Sequence, residues 1–238
     1  MYNFAIKKYL EDHGFEALRP KAVLFDMDGV LYNSMPNHAI AWQQSMAQFG
    51  IKMTADDAYA TEGARGVDTI KNMVLKQQGR EIDEAEAQRM YDVKTQIFHS
   101  LREAPVMPGM LELMQKITAD GLLCCVVTGS GQRPLIHRIL SDFGAYVTED
   151  HITTAYDVRR GKPAPDPYLM GLSKAGNIKP WEAIVVENAP LGVRAGAAAK
   201  IFTIAVNTGP LPGQTLLDAG ADLLFPSVVA LSDNWRLF

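Results

Sequence analysis

Cysteine is almost absent. The 238-residue chain holds two, Cys124 and Cys125, side by side in an apolar run. Neighbouring strand residues point to opposite faces, so an ordinary disulfide between them is geometrically poor and buried strand packing is the simpler reading. So little cysteine suits a reducing, cytoplasmic compartment. Long apolar runs are missing too: nothing approaches the roughly 20 residues needed to cross a bilayer. The first twenty residues carry Lys7, Lys8, Glu11 and Asp12 and lack the unbroken apolar segment of a secretory leader. There is no excess of positive charge. The formal net charge is −4 and the basic residues are scattered, which argues against a nucleic-acid or anionic-membrane surface. Any anion must therefore be held locally, by a metal or a few donors.

What is present suits an α/β chain with a sizeable core. Phe4, Lys7, Lys8, Leu10 and Glu11 fit a short amphipathic helix closed by Gly14 and Pro20, an extension over residues 1–20. The apolar run Ala22-Val23-Leu24-Phe25 then reads as a buried parallel strand that ends on acids. From Pro36 to about Glu103 the pattern is helical, with helices expected over Asn37–Phe49, Asp56–Gln78 and Asp83–Leu101. His38, Trp42, Met46 and Phe49 form one apolar stripe there. After Pro108, helices and strands alternate. Helices are expected over Met110–Ala119, Pro134–Phe143, Pro167–Ala175 and Leu191–Lys200. Strands are expected over Leu122–Val127, Ile152–Ala155, Ala183–Val186, Phe202–Val206 and Asp222–Phe225. Such alternation implies βαβ units in a Rossmann-like, doubly wound parallel sheet. The core takes residues 21–35 and 105–238, and residues 36–104 form an inserted helical cap. There is no internal repeat, and the sequence assigns no oligomeric state.

In an open parallel sheet, ligands bind beyond the carboxyl ends of the strands. Strand one ends at Asp26-Met27-Asp28-Gly29, two carboxylates suited to holding a divalent cation, or to dividing nucleophile and proton shuttle. Asp-Gly is also a common turn. Strand two ends at Thr128-Gly129-Ser130-Gly131, where a hydroxyl and backbone N–H groups before a helix make a phosphate cradle, or merely a cap. Lys162, stiffened by Pro163 and Pro165, follows strand three and can neutralise gathered negative charge. Asp166 before Pro167 is a helix cap. Glu187-Asn188 ends strand four, as metal ligands or as a cap before Pro190.

The ordered set DMDGV, TGS, GKPAPDP and ENAPLG resembles the four motifs of the haloacid dehalogenase-like superfamily, over about Lys21 to Phe225. More narrowly it is similar to the β-phosphoglucomutase-like branch, which carries a helical cap after the first motif. The resemblance implies that Asp26 is a nucleophile forming an aspartyl phosphate and Asp28 the general acid/base. Thr128 and Lys162 would bind the phosphoryl group. Mg²⁺ would be held by Asp26, the Asp28 carbonyl, Glu187 and Asn188. Two departures stand out: Asn188 replaces the usual aspartate of the fourth motif, and Asn33 replaces an aspartate often found past the first.

The loop Thr61–Gly66 occupies the cap position where such enzymes meet the leaving group, which makes Glu62 and Arg65 candidate substrate residues. Glu62, Asn188 and the ENAPLG run look especially like the branch's bacterial inorganic pyrophosphatases. His38 aligns with a histidine of the sugar-phosphate mutases, or simply continues the Trp42 stripe. The expectation is a Mg²⁺-dependent phosphohydrolase of a small phosphorylated compound, with pyrophosphate as the first single substrate. A phosphosugar mutase or sugar phosphatase is the alternative, and a non-catalytic binding module a third.

Overall fold

The computed structural model describes residues 2–130 and 133–235, so Gly131 lies outside the described residues. The run Ala22–Phe25 forms β1, buried along its whole length at the centre of the sheet. The other described strands are β2 (Leu123–Val127), β3 (Ile152–Thr153), β4 (Ala183–Glu187), β5 (Phe202–Val206) and β6 (Leu223–Phe225). They pair in parallel in the order β3-β2-β1-β4-β5-β6. Both faces of a parallel sheet are covered by its crossover helices, which is why these strands are mostly apolar along their length, as in Ala22–Phe25 and Ala183–Glu187.

On one face Val23, Phe25, Cys124, Val126, Ile184 and Val186 pack against α1 (Tyr2–His13), α6 (Met110–Ala119), α7 (Arg133–Phe143) and α11 (Val228–Asp233). On the other, Leu24, Cys125, Val127 and Val185 meet Tyr168, Leu172, Ala195 and Ala199 of α8 (Asp166–Lys174) and α9 (Pro190–Ala198) and its C-cap. The two cysteines thus face opposite layers, and burial pushes both thiols up to about 12. The amino-terminal extension is part of the core: Tyr9 donates to the Lys200 carbonyl at 2.8 Å and meets Phe202 edge-on.

The cap comprises α2 (Met35–Gln48), α3 (Ala55–Ala60), α4 (Gly66–Gln78) and α5 (Glu84–Ser100) around Trp42, Met46, Ile70, Met73 and Met90. One expectation is corrected: Asp56–Gln78 is two helices, not one. Thr54 and Asp57 form a reciprocal capping box that starts α3, Thr61 Oγ1 back-bonds to the Asp57 carbonyl, and Gly63 adopts φ +83°. Only glycine enters that region without strain, so the chain turns there. The third strand also stops two residues early, because Thr154 and Asp157 cap a 3₁₀ turn at Ala155–Asp157. The short helices α10 (Gly213–Asp218) and α11 were not anticipated from the sequence.

Candidate active site

Register brings the motifs together. Phe25 lies opposite both Val126 and Val186, so Asp26, Thr128 and Glu187 emerge along one edge. Asp26 N–H still bonds the Val186 carbonyl at 3.0 Å, and Thr128 N–H the Thr153 carbonyl at 2.9 Å. Past Asp28 the chain reverses at Gly29, with φ +81°; a Cβ there would lie 2.1 Å from Asn188 Nδ2. Alanine at 29 would be both strained and obstructed.

Lys162 is buried and donates to Asp26 Oδ1 at 2.5 Å, Glu187 Oε1 at 2.7 Å and the Val127 carbonyl at 3.2 Å. Burial alone would disfavour its charge, but Asp26 and Glu187 outweigh that and raise its pKa, so it stays an ammonium. Thr128 is buried beside it, its Oγ1 accepting from Ser130 N–H at 3.0 Å. The turn at Gly63 rests directly on Lys162 and Gly129: a Cβ on Gly63 would lie 3.3 Å from Lys162 Cδ, and one on Gly129 3.3 Å from the Gly63 carbonyl. Cap and core are closed on one another. Asp166 is the first residue of α8 and not its cap, which is Pro165, and its carboxylate is bound by Arg160 at 3.0 and 2.9 Å.

Asp28 turns towards the cap. Its Oδ1 accepts from Ser34 Oγ at 2.6 Å and lies 3.1 Å from His38 Nε2. His38 Nδ1 lies 2.7 Å from Lys94 Nζ, and its ring stacks on Phe98. Burial and the Lys94 charge hold His38 below its ordinary value despite Asp28. The neutral tautomer with hydrogen on Nε2 satisfies both partners, with Nδ1 accepting from the ammonium. Burial pushes Asp28 up, while the hydrogen bonds from His38 and Ser34 and the Lys94 charge hold it down, so it rests as a carboxylate. Lys94 is enclosed by Trp42, Tyr91 and Phe98, and desolvation lowers it to about 8 despite Asp28. Thus His38 leaves the stripe that Trp42 and Met46 continue into the cap core. Ser34 and Lys94 were not foreseen. The signal for Lys94 was a lysine on the inward face of α5, in step with Ala87, Met90 and Tyr91.

On the other flank, Asn188 Nδ2 donates to both Glu62 oxygens at 3.1 Å across the domain boundary. Burial, with Asp26, Glu187 and Asp28 close by, drives the Glu62 carboxyl well above its usual range. Asn188 Oδ1 is buried and has no hydrogen-bond partner. Among the described residues no three His, Cys, Asp or Glu side chains are arranged to hold a metal. Glu187, expected among the ligands, accepts from Lys162, Tyr168, Asn188 N–H and Ala189 N–H. Even so, an orphaned buried amide oxygen beside the Glu62 carboxyl and near Asp26 is a hard-oxygen donor set of the kind Mg²⁺ takes.

Asp26, Asp28, His38, Glu62, Lys94, Gly129 and Ser130 line a chamber of about 70 Å³. Arg65 does not reach it. Its guanidinium pairs with Glu84 at 3.0 Å and Asp68 at 3.9 Å, on the wall of an adjoining cavity of about 450 Å³ that shares Gly66, Tyr91, Thr95, Gly129 and Ser130 with the chamber.

This sheet, with an acidic pair at the end of its central strand and a buried lysine from a neighbouring loop, defines a haloacid dehalogenase-like hydrolase. The model of that family matches residues 23–206, and the chain belongs to it. Within the family it falls in the β-phosphoglucomutase-like branch. A solved structure from Bacteroides vulgatus, described as a candidate β-phosphoglucomutase, is 48% identical with a TM-score of 0.93, covering 97% of this chain and 93% of that one. Hexitol phosphatase A of Escherichia coli is 30% identical over 80% of this chain and 84% of its own. The validoxylamine A 7′-phosphate phosphatase of Streptomyces hygroscopicus is 31% identical over 79% and 86%. None of these three is named as a pyrophosphatase, so the resemblance expected from Glu62 and Asn188 is not shown.

Proposed function

We propose that this chain is a Mg²⁺-dependent phosphohydrolase of small phosphorylated metabolites in a reducing cytoplasm, with Asp26 as nucleophile. The carrying observation is Lys162 held between Asp26 and Glu187 while Asp28, two residues away, faces the cap chamber. Asp28, a carboxylate at rest, takes up a proton as substrate binds; an Asp26 oxygen then attacks phosphorus, and the leaving group departs with that proton from Asp28. Water, giving its proton to Asp28, then attacks the aspartyl phosphate, which releases orthophosphate and restores Asp26. Lys162 and Thr128 meet the phosphoryl oxygens, an electrostatic contribution of the kind worth about 10²–10³ in rate. Asp26, the Asp28 carbonyl, Asn188 and Glu62 would hold Mg²⁺, which when bound supplies charge neutralisation for the phosphoryl group.

The substrate class favoured by the relatives is a phosphosugar or phosphopolyol, hydrolysed or, in a mutase, rephosphorylated. Hexitol phosphatase A and the validoxylamine phosphatase are named for such substrates, and the 450 Å³ cavity beside the chamber has room for a sugar. Pyrophosphate is the second reading, on one feature. Glu62 is a buried carboxylate on the leaving-group side, joined to Asn188, in a chamber of only about 70 Å³. Initial rates with Mg²⁺ on hexitol 6-phosphates, β-glucose 1-phosphate, fructose 1-phosphate and pyrophosphate separate these. A kcat/KM for pyrophosphate tenfold above every phosphosugar reverses the order, and glucose 6-phosphate formed from β-glucose 1-phosphate without orthophosphate identifies the mutase.

A further inference from the structure

Glu187 has no acceptor position to spare. Its Oε1 takes Lys162 Nζ at 2.7 Å and the Tyr168 hydroxyl at 2.9 Å, while Oε2 takes Asn188 N–H at 2.9 Å and Ala189 N–H at 3.1 Å. A carboxylate offers about four such positions, and all four are filled. The backbone of α9 closes the remaining side, since a Cβ on Gly192 would lie 1.6 Å from Oε1. At rest Lys162 gives its three hydrogens to Asp26, Glu187 and the Val127 carbonyl, and a phosphoryl oxygen takes the place of one of these partners. Tyr168, fully buried in the first turn of α8, touches both partners: its hydroxyl reaches Glu187, and Lys162 Nζ sits 5.0 Å from its ring centroid.

We infer that Tyr168 is a positioning residue for phosphoryl transfer: its hydroxyl anchors Glu187, and Glu187 holds the Lys162 ammonium against Asp26. The inference rests on the reading of Asp26 as nucleophile and goes beyond it. Two consequences follow from the geometry. Glu187 works on the lysine side of the site and not as a direct metal ligand. The Tyr168 hydroxyl matters to rate, although its ring also packs with Leu24, Cys125 and Leu172 in the core. A purely structural Tyr168 predicts the reverse, because phenylalanine keeps the ring and removes only the oxygen.

The test is Tyr168→Phe in the full chain, loaded with Mg²⁺. A hydrogen bond to a charged acceptor is at stake, so kcat should fall about tenfold while KM stays within twofold. Mg²⁺ affinity measured by calorimetry should stay within twofold, since Glu187 does not serve the metal. In a Lys162→Met background, which has already lost the group being positioned, Tyr168→Phe should cause no further loss. The inference is overturned by an unchanged kcat, by a parallel loss of Mg²⁺ affinity, or by losses that multiply in the Lys162→Met background. Loss of the fold on removing one oxygen also overturns it, because that assigns the hydroxyl to stability. Asp26→Asn, run alongside, tests the underlying reading separately: turnover surviving that change removes the nucleophile, whatever Tyr168 does.

Discussion

Asn188 of the core donates from Nδ2 to both carboxylate oxygens of Glu62 on the cap, each at 3.1 Å. The bond makes Glu62 a closing contact as well as a metal candidate. An ionised carboxylate about 5 Å from a phosphate costs roughly 3 kcal/mol per charge pair at an effective dielectric of 20, so Glu62 tolerates an anionic leaving group only as the neutral acid, which its raised pKa favours, or with a cation beside it. Glu62→Ala should raise the Mg²⁺ concentration for half-maximal rate and slow pyrophosphate hydrolysis more than phosphosugar hydrolysis. Equal losses on both substrates would remove pyrophosphate from consideration.

Asp26→Asn should abolish turnover with the fold intact, because an amide oxygen does not form the phosphoenzyme. Asp28→Asn should cost about 10²–10⁴ in kcat, the usual contribution of a positioned acid/base. Lys162→Met should cost about 10²–10³. Orthophosphate release, with circular dichroism as the control for folding, reads all three; near-normal turnover by the Asp26 variant would sink the covalent route.

How much of this was readable beforehand depended on where each signal lay. The core strands were legible because most are buried apolar runs, and Asp26, Thr128 and Glu187 followed as the residues at or just past their carboxyl ends. The broken helix at Thr61–Arg65 was not, because its apolar pattern runs on through α4 while the break is set by one glycine and a capping box. Lys94 was hidden for the opposite reason: a helical lysine normally marks the solvated face, and only the packing of α5 against α2 turns this one inward. Glu187 was legible as a site residue but not as to its partner. Whether it faces a metal or Lys162 depends on contacts among three elements, and no local pattern encodes them.

Lys94 lets the conflict between function and stability be measured. Its folded value of about 8 against an ordinary 10.5 means the folded state disfavours the ammonium. Below pH 8 the lysine is charged in both states and the full penalty applies, about 3 kcal/mol at roughly 1.4 kcal/mol per pH unit. Between pH 8 and 10.5 the folded state sheds the proton first and the penalty fades, so this contribution makes stability rise with pH. Lys94→Met, whose thioether suits the Trp42, Tyr91 and Phe98 enclosure, should be more stable at pH 7 by about 1–3 kcal/mol and lack that rise. It should also be slower, having lost the donor to His38. Denaturant titrations at pH 7 and 9.5 check the first claim; a Lys94→Met protein less stable at pH 7 contradicts it.

The unusual amide at position 188 gives a prediction with opposite signs under two conditions. Without metal, Asn188→Asp puts a second carboxylate where Nδ2 now donates, about 3 Å from Glu62 and close to Asp26. At an effective dielectric of 20 that repulsion is about 5 kcal/mol before relaxation or protonation relieves it. The metal-free variant should therefore melt lower than the parent, and its cap should open, exposing the Gly63 turn to proteolysis. With Mg²⁺ the sign should reverse: an anionic oxygen replaces a neutral one among the residues that would hold the cation, the added charge is neutralised, and affinity should tighten about tenfold or more. The same variant should thus show a lower midpoint in chelator and a larger upward shift on adding Mg²⁺. If midpoint and Mg²⁺ affinity both match the parent, Asn188 is only a contact for Glu62 and the metal lies elsewhere in the chamber.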